Sequence, residues 1–201
     1  MVFVIHLEYF RMPVVGAFDS RLLNSYSIGH EIDFAKIKTS SILEMIIDFE
    51  YVMTYTGVVH GIASWFDLEF SPENGQYISM STGPQSATTH WQQIRFQFAE
   101  PIAMNKDEKL VGWLKMKVNE HRSYTIVGQF CTDKEGLDDP DTFEIDNTTV
   151  KYPKEMTRKV KDRFSKRTQI WFLHEQIFNY SFNYSQPPEF QPEYQCLYES
   201  R

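Results

Sequence analysis

The stretch Leu43-Glu-Met-Ile-Ile-Asp-Phe-Glu-Tyr-Val-Met53 decides the fold class, because apolar and acidic side chains alternate along it. One face of the segment carries Leu43, Met45, Ile47, Phe49, Tyr51 and Met53, and the other carries Glu44, Asp48 and Glu50. Successive side chains of a strand point to opposite sides of the sheet. The pattern therefore predicts an antiparallel strand with one face buried and the other in water.

Further segments with strand patterns lie on both sides of this stretch. We predict strands over 28–37, 58–70, 76–82, 94–98, 108–118 and 122–130. Turn formers such as Pro72-Glu-Asn-Gly75 and Asn105-Lys-Asp107 separate neighbouring segments. Closely spaced strands without helices between them are typical of a sandwich or a barrel, and closure into a barrel removes edge strands. The sequence therefore predicts an all-β fold, an antiparallel β-barrel.

Composition narrows the classes of function. The chain has 201 residues and a net charge of −7, which argues against a nucleic-acid-binding surface. No run of apolar residues is long enough to predict a membrane-spanning helix. Cys131 and Cys196 lie far apart and have no metal-binding spacing, so a reducing compartment is expected. No glycine-rich phosphate loop, HExxH motif or Cys-x-x-Cys motif is present.

The chain changes character after Cys131. Residues 132–150 are acidic and rich in turn formers, which predicts a linker. Residues 151–167 contain eight basic side chains, and their pattern favours a short helix. We interpret this basic stretch either as the solvated face of a helix or as a segment for nuclear import or phosphate contact. The aromatic tail that follows repeats Phe-Asn-Tyr-Ser at 178–181 and 182–185 and is predicted to be irregular.

A loop of turn formers, residues 83–88, connects two predicted strands and ends at Thr89, His90 and Trp91. Tryptophan carries a large apolar surface, and the histidine ring titrates near neutral pH. We therefore interpret this loop as one that presents a flat aromatic wall and a titratable ring to a ligand or partner.

Five blocks of residues occur along the first two thirds of the chain. They are Tyr9-Phe-Arg-Met-Pro-Val-Val-Gly-Ala-Phe-Asp19, Val59-His-Gly-Ile-Ala-Ser-Trp-Phe-Asp67, Ser81-Thr-Gly-Pro84, Thr89-His-Trp91, and Asn119 with Ser123-Tyr-Thr-Ile126. In this order and with nearly this spacing, they closely resemble the C-terminal β-barrel of protein arginine methyltransferases, above all the coactivator-associated, histone-modifying type. The resemblance covers about residues 8–131.

The resemblance implies roles for the residues of the Thr-His-Trp segment, Thr89 to Trp91. In the family this segment faces an active site between the barrel and an N-terminal domain that binds S-adenosylmethionine. His90 is then expected to pair with a carboxylate of that domain, and Trp91 with Thr89 to help form the arginine pocket. A guanidinium group is protonated and weakly nucleophilic, so it must be oriented and must lose a proton on methylation. A carboxylate–histidine pair and an indole face suit these tasks.

The resemblance also indicates what this chain lacks. The family's S-adenosylmethionine pocket and its paired glutamates precede the barrel, so we expect no cofactor or metal site here and no activity of this chain alone. Residues 1–12 correspond to a remnant of the dimerisation arm and the start of the barrel, and residues 13–131 to the barrel. The linker 132–150 and the segment 151–201, basic and then aromatic, match no part of the family.

The resemblance leads to two functional hypotheses. The first is the barrel portion of a type I histone-arginine N-methyltransferase, which transfers methyl groups from S-adenosylmethionine to arginines of proteins such as histones, in nucleus and cytoplasm. The alternative is a catalytically inactive barrel that binds a full-length methyltransferase or arginine-rich peptides. A methyltransferase subunit that binds S-adenosylmethionine is a candidate partner, whereas nucleic acid and membranes are not expected. An incomplete gene sequence is a third explanation, and the specific substrate stays open.

Overall fold

The computed structural model describes residues 10–72, 75–146, 150–151 and 166–173, and strands dominate them. In chain order the elements are β1 (Val14–Val15), α1 (Thr39–Leu43), β2 (Glu44–Val52), β3 (Gly57–Ser64), β4 (Asp67–Phe70), β5 (Ile78–Ser81), β6 (Ile94–Met104), β7 (Lys109–Val118), β8 (Tyr124–Cys131), β9 (Glu144–Ile145), β10 (Val150–Lys151) and β11 (Arg167–Phe172). Single 3-10 turns cover Ser20–Leu22, Lys134–Gly136 and Pro140–Thr142. All the strand pairs are antiparallel, which confirms the predicted fold class.

Two larger sheets and a hairpin organise the fold. One sheet has the strand order β11-β8-β7-β2, the other has the order β1-β6-β3, and β4 pairs with β5 alone. The segment that decided the fold class forms β2 and pairs with β7 from Glu44 to Val52. Phe49 is buried and Glu50 is exposed, as the alternation predicts. No helix in the described parts of the chain is long and apolar enough to cross a membrane.

The hydrophobic core lies between the two larger sheets. Phe98 of β6 stacks on Phe130 of β8, with ring centroids 3.9 Å apart and planes 13° apart. The Gln169 side chain joins the sheets, since its Nε2 donates to the Gln97 oxygen at 2.7 Å and its Oε1 accepts from the Ala99 N–H at 2.9 Å. The strands β6 and β11 are thus linked by side chains where the two sheets meet.

The predicted strand over 28–37 is wrong. Asp33 makes a turn there, because its backbone oxygen accepts from the Ile37 N–H at 2.8 Å and its Oδ1 accepts from the Ala35 N–H at 2.9 Å. Lys36 adds an ion pair to Asp33 at 2.7 Å. Aspartate that bonds its own backbone two residues on stabilises turns rather than strands. The apolar residues of this segment therefore do not indicate a sheet.

The predicted strand over 58–70 is two strands with different partners. β3 pairs with β6, whereas β4 pairs with β5. The pairing of β3 shifts register between Val59 and Gly61. A Cβ atom at Gly61 would lie 2.3 Å from the backbone oxygen of Phe96, so this close approach of two backbones requires glycine. The bulge bends β3, and the chain then turns away into the β4–β5 hairpin.

Residues beyond Cys131 contact the sheet more closely than the patterns predicted. Phe143 is buried and packs edge-on against Trp113 of β7, with ring centroids 5.0 Å apart. Strand β11, in a part predicted to be basic or irregular, pairs with β8 from Arg167 to Phe172. Residues 152–165, with most of the predicted helix, and the tail from residue 174 lie outside the described residues. The domain boundary at residue 131 stays a prediction.

Candidate functional site

The loop 83–88 is fixed where it leaves the β4–β5 hairpin. Thr82 donates its N–H to the Phe66 oxygen at 3.1 Å, and its Oγ1 donates to the same oxygen at 2.8 Å. The Phe66 N–H in turn donates to the Thr82 Oγ1 at 3.2 Å. On the far side of the loop, the buried Gln93 donates its Nε2 to the Thr82 oxygen at 2.6 Å. These bonds hold the start and the end of the loop together.

The Thr-His-Trp segment forms a small turn at the end of this loop. The Thr89 Oγ1 accepts from the Trp91 N–H at 3.2 Å and donates to the Trp91 oxygen at 3.0 Å. The His90 and Trp91 rings lie against each other, with centroids 3.9 Å apart and planes 34° apart. His90 is exposed and Trp91 is 43% exposed. The structure therefore brings together the three residues predicted for the site and leaves both rings accessible.

Phe66 is a further member of the site, and no role was predicted for it. Its ring meets the Trp91 ring edge-on, with centroids 5.8 Å apart and planes 72° apart. Phe66 is itself exposed, although its backbone is bonded to Thr82. Phe66 belongs to the block from Val59 to Asp67 that resembles the family, and this was the one indication of a role in the sequence. Its contact with Trp91 depends on the pairing of the hairpin, which a strand pattern alone does not predict.

The site lies in a stretch of the chain with no positive side chain apart from its histidines. Between Gly57 and Ile94 the sequence contains no lysine or arginine. Asp67 and Glu69 are exposed on β4. A side-chain hydrogen bond to Glu69 raises the pKa of Tyr77, so the phenol stays neutral and donates to the carboxylate. This composition favours a cationic ligand at the site.

A cavity of about 320 Å³ is lined by residues other than those of the Thr-His-Trp segment. Its lining is mostly charged and consists of Glu44, Lys115, Lys117, Asp141, Phe143, Glu144, Ile145 and Asp146. The Lys115 Nζ lies 3.1 Å from the Glu44 Oε1 and donates to the Pro140 oxygen at 3.3 Å. The four carboxylates of the lining outnumber its two ammonium groups, and no residue of the Thr-His-Trp segment lines it, so this cavity is separate from the candidate site. In the described ranges, no three His, Cys, Asp or Glu side chains are grouped to hold a metal ion.

Curated relatives match most of this chain. The histone-arginine methyltransferase CARMER of Drosophila yakuba is 32% identical to it over 145 residues, which is 72% of this chain and 27% of the relative. The probable histone-arginine methyltransferase CARMER of Drosophila melanogaster shows the same identity and the same coverage. The chain thus spans about a quarter of the length of these relatives.

Solved structures share the fold. One is an Arabidopsis thaliana protein arginine methyltransferase 10 in an open conformation, with a TM-score of 0.62 at 18% identity over 83% of this chain and 43% of the other. Another is the Trypanosoma brucei PRMT1 enzyme-prozyme heterotetrameric complex with AdoHcy, with a TM-score of 0.59 at 16% identity over 82% of this chain and 44% of the other. At these identities the likeness concerns the fold alone.

The family model for the arginine methyltransferase oligomerization subdomain matches residues 7–128. The match begins before β1 and ends within β8, so it includes the strands of both larger sheets except β11, and it includes the Thr-His-Trp segment. It covers more than half of the 201 residues. This chain therefore belongs to the protein arginine methyltransferase family.

Proposed function

We propose that this chain is the barrel portion of a type I, histone-arginine protein methyltransferase and that the Thr-His-Trp segment forms the substrate side of its active site. The exposed Trp91 ring, framed by His90 and Phe66, is the observation that carries the proposal. Relatives named histone-arginine methyltransferases support the substrate class. The whole enzyme would use S-adenosylmethionine to methylate arginines of proteins such as histones, in nucleus and cytoplasm.

Trp91 would form one wall of the arginine pocket. A guanidinium group over an indole face is stabilised by roughly 0.5–1 kcal/mol at exposed sites and by about 2 kcal/mol or more once water is excluded. The Thr89 side chain, bonded to both the N–H and the oxygen of Trp91, would keep the indole at a fixed angle. The stretch between residues 57 and 94 contains no lysine or arginine, so it adds no positive charge that would repel the substrate.

His90 would orient the substrate together with a carboxylate of the domain that binds S-adenosylmethionine. Its imidazole is exposed beside the Trp91 ring, so a carboxylate from another domain can reach it. A neutral imidazole donates from one nitrogen and accepts at the other, and an imidazolium pairs with a carboxylate through charge. Either form would place a fixed dipole or charge next to the guanidinium.

The domain that binds S-adenosylmethionine would come from the remainder of the protein or from a partner subunit. This chain spans about a quarter of the length of its curated relatives, which supports this part of the proposal. A related structure is a heterotetrameric complex, and the matching family model is named for oligomerization. These descriptions support a proposal that the barrel also takes part in subunit association.

Titration calorimetry with a short peptide that contains one arginine tests the substrate side of this proposal. Binding should weaken when the arginine is replaced by lysine, because a planar guanidinium stacks on the indole better than an ammonium does. Trp91→Ala should weaken binding about 2- to 30-fold, which corresponds to a loss of about 0.5–2 kcal/mol. Tyr26→Ala is the matched control, because Tyr26 is an aromatic residue that is 84% exposed.

Equal affinity for the two peptides, or no effect of Trp91→Ala, would contradict the proposal. The catalytic part is tested by adding a domain of a related enzyme that binds S-adenosylmethionine and by following methyl incorporation into the peptide. Peptide binding without methylation would favour the alternative, a binding barrel without activity.

A further inference from the structure

The β4–β5 hairpin has one apolar face that is only partly covered. Leu68 pairs directly with Met80, and Phe70 pairs directly with Ile78. Residues opposite each other in an antiparallel pair share a face, and so do residues two apart along a strand. These four side chains therefore lie on the same face, where Phe70 is 58% exposed and Ile78 is 59% exposed.

The other face of the hairpin is polar, so the apolar face results from strand alternation. Asp67 pairs with Ser81, and Glu69 pairs with Ser79. Tyr77 makes its side-chain hydrogen bond with Glu69, as expected for two residues on that polar face. The exposed apolar residues are thus gathered on one side of a two-stranded element.

The apolar face continues to the candidate site. Phe66 stands two residues before Leu68, so its side chain lies on the same face as Leu68 and Phe70. Its backbone is hydrogen-bonded to Thr82 across the hairpin, so the pairing of the two strands continues to this residue. Its ring contacts the Trp91 ring at 5.8 Å. We call the row of Phe66, Leu68, Phe70, Ile78 and Met80 the hairpin stripe. Phe66, Phe70 and Ile78 are exposed, whereas Leu68 and Met80 are half-buried. Exposed apolar side chains grouped in this way are typical of a binding surface.

The length of the hairpin stripe fits an extended peptide. A strand rises about 3.3 Å per residue, so Phe70 lies about 13 Å along the strand from Phe66. An extended peptide with its arginine at Trp91 would cover this distance with about four residues. A side chain about four positions from the arginine would therefore lie over Phe70 and Ile78.

The charges around the hairpin stripe favour a cationic peptide as its occupant. The segment from 57 to 94 holds no lysine or arginine, and its carboxylates Asp67 and Glu69 lie on the opposite face of the same hairpin. A second copy of this chain would bring together two chains that each carry a net charge of −7, whereas a cationic peptide is attracted to such a chain. An arginine-containing peptide with an apolar residue a few positions from its arginine matches both the charge and the apolar surface.

We propose that the hairpin stripe is a docking surface for the substrate peptide and selects an apolar side chain about four residues from the target arginine. This inference rests on the proposed function of Trp91 in binding the arginine. It adds a preference for sequence at a distance from the arginine, and it assigns that preference to Phe70 and Ile78.

A peptide series tests the inference on the full chain by calorimetry. Each peptide has one arginine in a Gly-Ser background, and a single leucine is moved from two to six positions away on either side. We expect a leucine about four positions away, on one side only, to tighten binding roughly fivefold to tenfold relative to the peptide without leucine. A gain that is equal at all positions, or no gain at any position, would overturn the inference.

Variants assign the gain to the hairpin stripe. Phe70→Thr and Ile78→Thr, made singly, replace apolar side chains by one that also favours strands, so the hairpin is retained, as circular dichroism verifies. Each variant should reduce the leucine gain without changing the affinity for the peptide that lacks leucine. Phe34→Thr is the control, because Phe34 is 75% exposed and lies in the turn at residue 33.

Three results would count against the hairpin stripe, and they can be told apart. A full leucine gain in both threonine variants would overturn the inference while leaving the role of Trp91 intact. A change of sedimentation coefficient in these variants, together with no leucine gain in the wild type, would identify the stripe as a contact between copies of this chain. Failure of every arginine peptide to bind would contradict the proposed function and this inference together.

Discussion

Trp171 donates its indole N–H to the backbone oxygen of Gln97 at 3.1 Å, and this bond joins two strands that belong to different sheets. Trp171 lies in β11 and is completely buried, and its ring meets the Phe96 ring edge-on at 5.5 Å. The Gln97 oxygen also accepts from the Gln169 side chain. Strand β11 is therefore part of the core, although it lies beyond the residues that the family model matches.

Truncation of Trp171 should destabilise the whole fold. We expect Trp171→Ala to lower the free energy of unfolding by about 3–5 kcal/mol, since a large buried aromatic side chain is lost. Trp171→Phe should cost less, because it retains most of the apolar contact and removes the bond to Gln97. Urea unfolding followed by far-ultraviolet circular dichroism measures both, with Tyr26→Ala as the exposed control. A change within 0.5 kcal/mol for Trp171→Ala, the range typical of surface substitutions, would mean that β11 does not contribute to the core.

Strands with one face in the core and one in water could be predicted from the sequence. In β2, Phe49 is buried and Glu50 is exposed, which matches the alternation of apolar and acidic residues in the sequence. The predicted bounds of this strand differ from the observed ones by a single residue at each end. The turn at Asp107 was also predictable as a break between strands, and this residue has a positive φ. Local patterns carry this information because each residue of such a strand meets either core or solvent.

Features that depend on distant contacts could not be predicted. Strand β11 carries Trp171 into the core, but its flanking charges and aromatic residues hide its alternation. Asp33 turned an apolar segment into a turn through bonds to its own backbone. At the candidate site, the Thr-His-Trp segment was identified from the sequence, whereas the contact between Phe66 and Trp91 required the hairpin register.

Gly112, like Gly61, is a position where the sheet has no room for a larger side chain. A Cβ atom there would lie 2.3 Å from the backbone oxygen of Gln129 and 2.4 Å from the Phe49 ring. We expect Gly112→Ala to lower the free energy of unfolding by about 1–3 kcal/mol, the usual cost of overpacking a core. Gly29→Ala is the matched control, because a Cβ atom at Gly29 meets nothing within 4 Å. Equal midpoints in urea for the two variants would contradict the tight pairing of β7 with β8.

The buried side-chain amide of Gln129 forms hydrogen bonds that hold the segment after β8 against the sheet. Its Nε2 donates to the Asp138 Oδ2 at 2.9 Å and to the Thr168 Oγ1 at 3.0 Å, and its Oε1 accepts from the Asp138 N–H at 2.6 Å. Gln129→Leu should cost about 1–3 kcal/mol, because buried partners lose their hydrogen bonds. Lys166→Met is the comparison, because it removes the more exposed ion pair to Asp138 and should cost about 0–1 kcal/mol. Denaturant unfolding that ranks the two variants in the opposite order would contradict the role of Gln129.

The Cys131 thiol should make stability depend on pH in alkaline solution. Cys131 is completely buried and its Sγ lies 2.6 Å from the Asp133 oxygen, and burial raises the pKa of the thiol. In the unfolded chain the thiol ionises near pH 8.5. Between this pH and the raised pKa of the folded state, the thiol ionises only in the unfolded chain, which favours unfolding. The contribution of the neutral thiol to stability is therefore complete below about pH 8.5 and is lost as the pH rises through the folded-state pKa.

Unfolding experiments in a Cys196→Ser background isolate this thiol. We expect the free energy of unfolding to fall more steeply between about pH 8 and pH 10 with Cys131 than with Cys131→Ala, since lysines and tyrosines titrate equally in both proteins. In the same background, a disulfide reagent near pH 8 should react slowly with the folded protein and rapidly in urea, because the thiolate is the nucleophile. Parallel pH profiles together with fast labelling of the folded protein would show that the thiol is accessible and ionises normally.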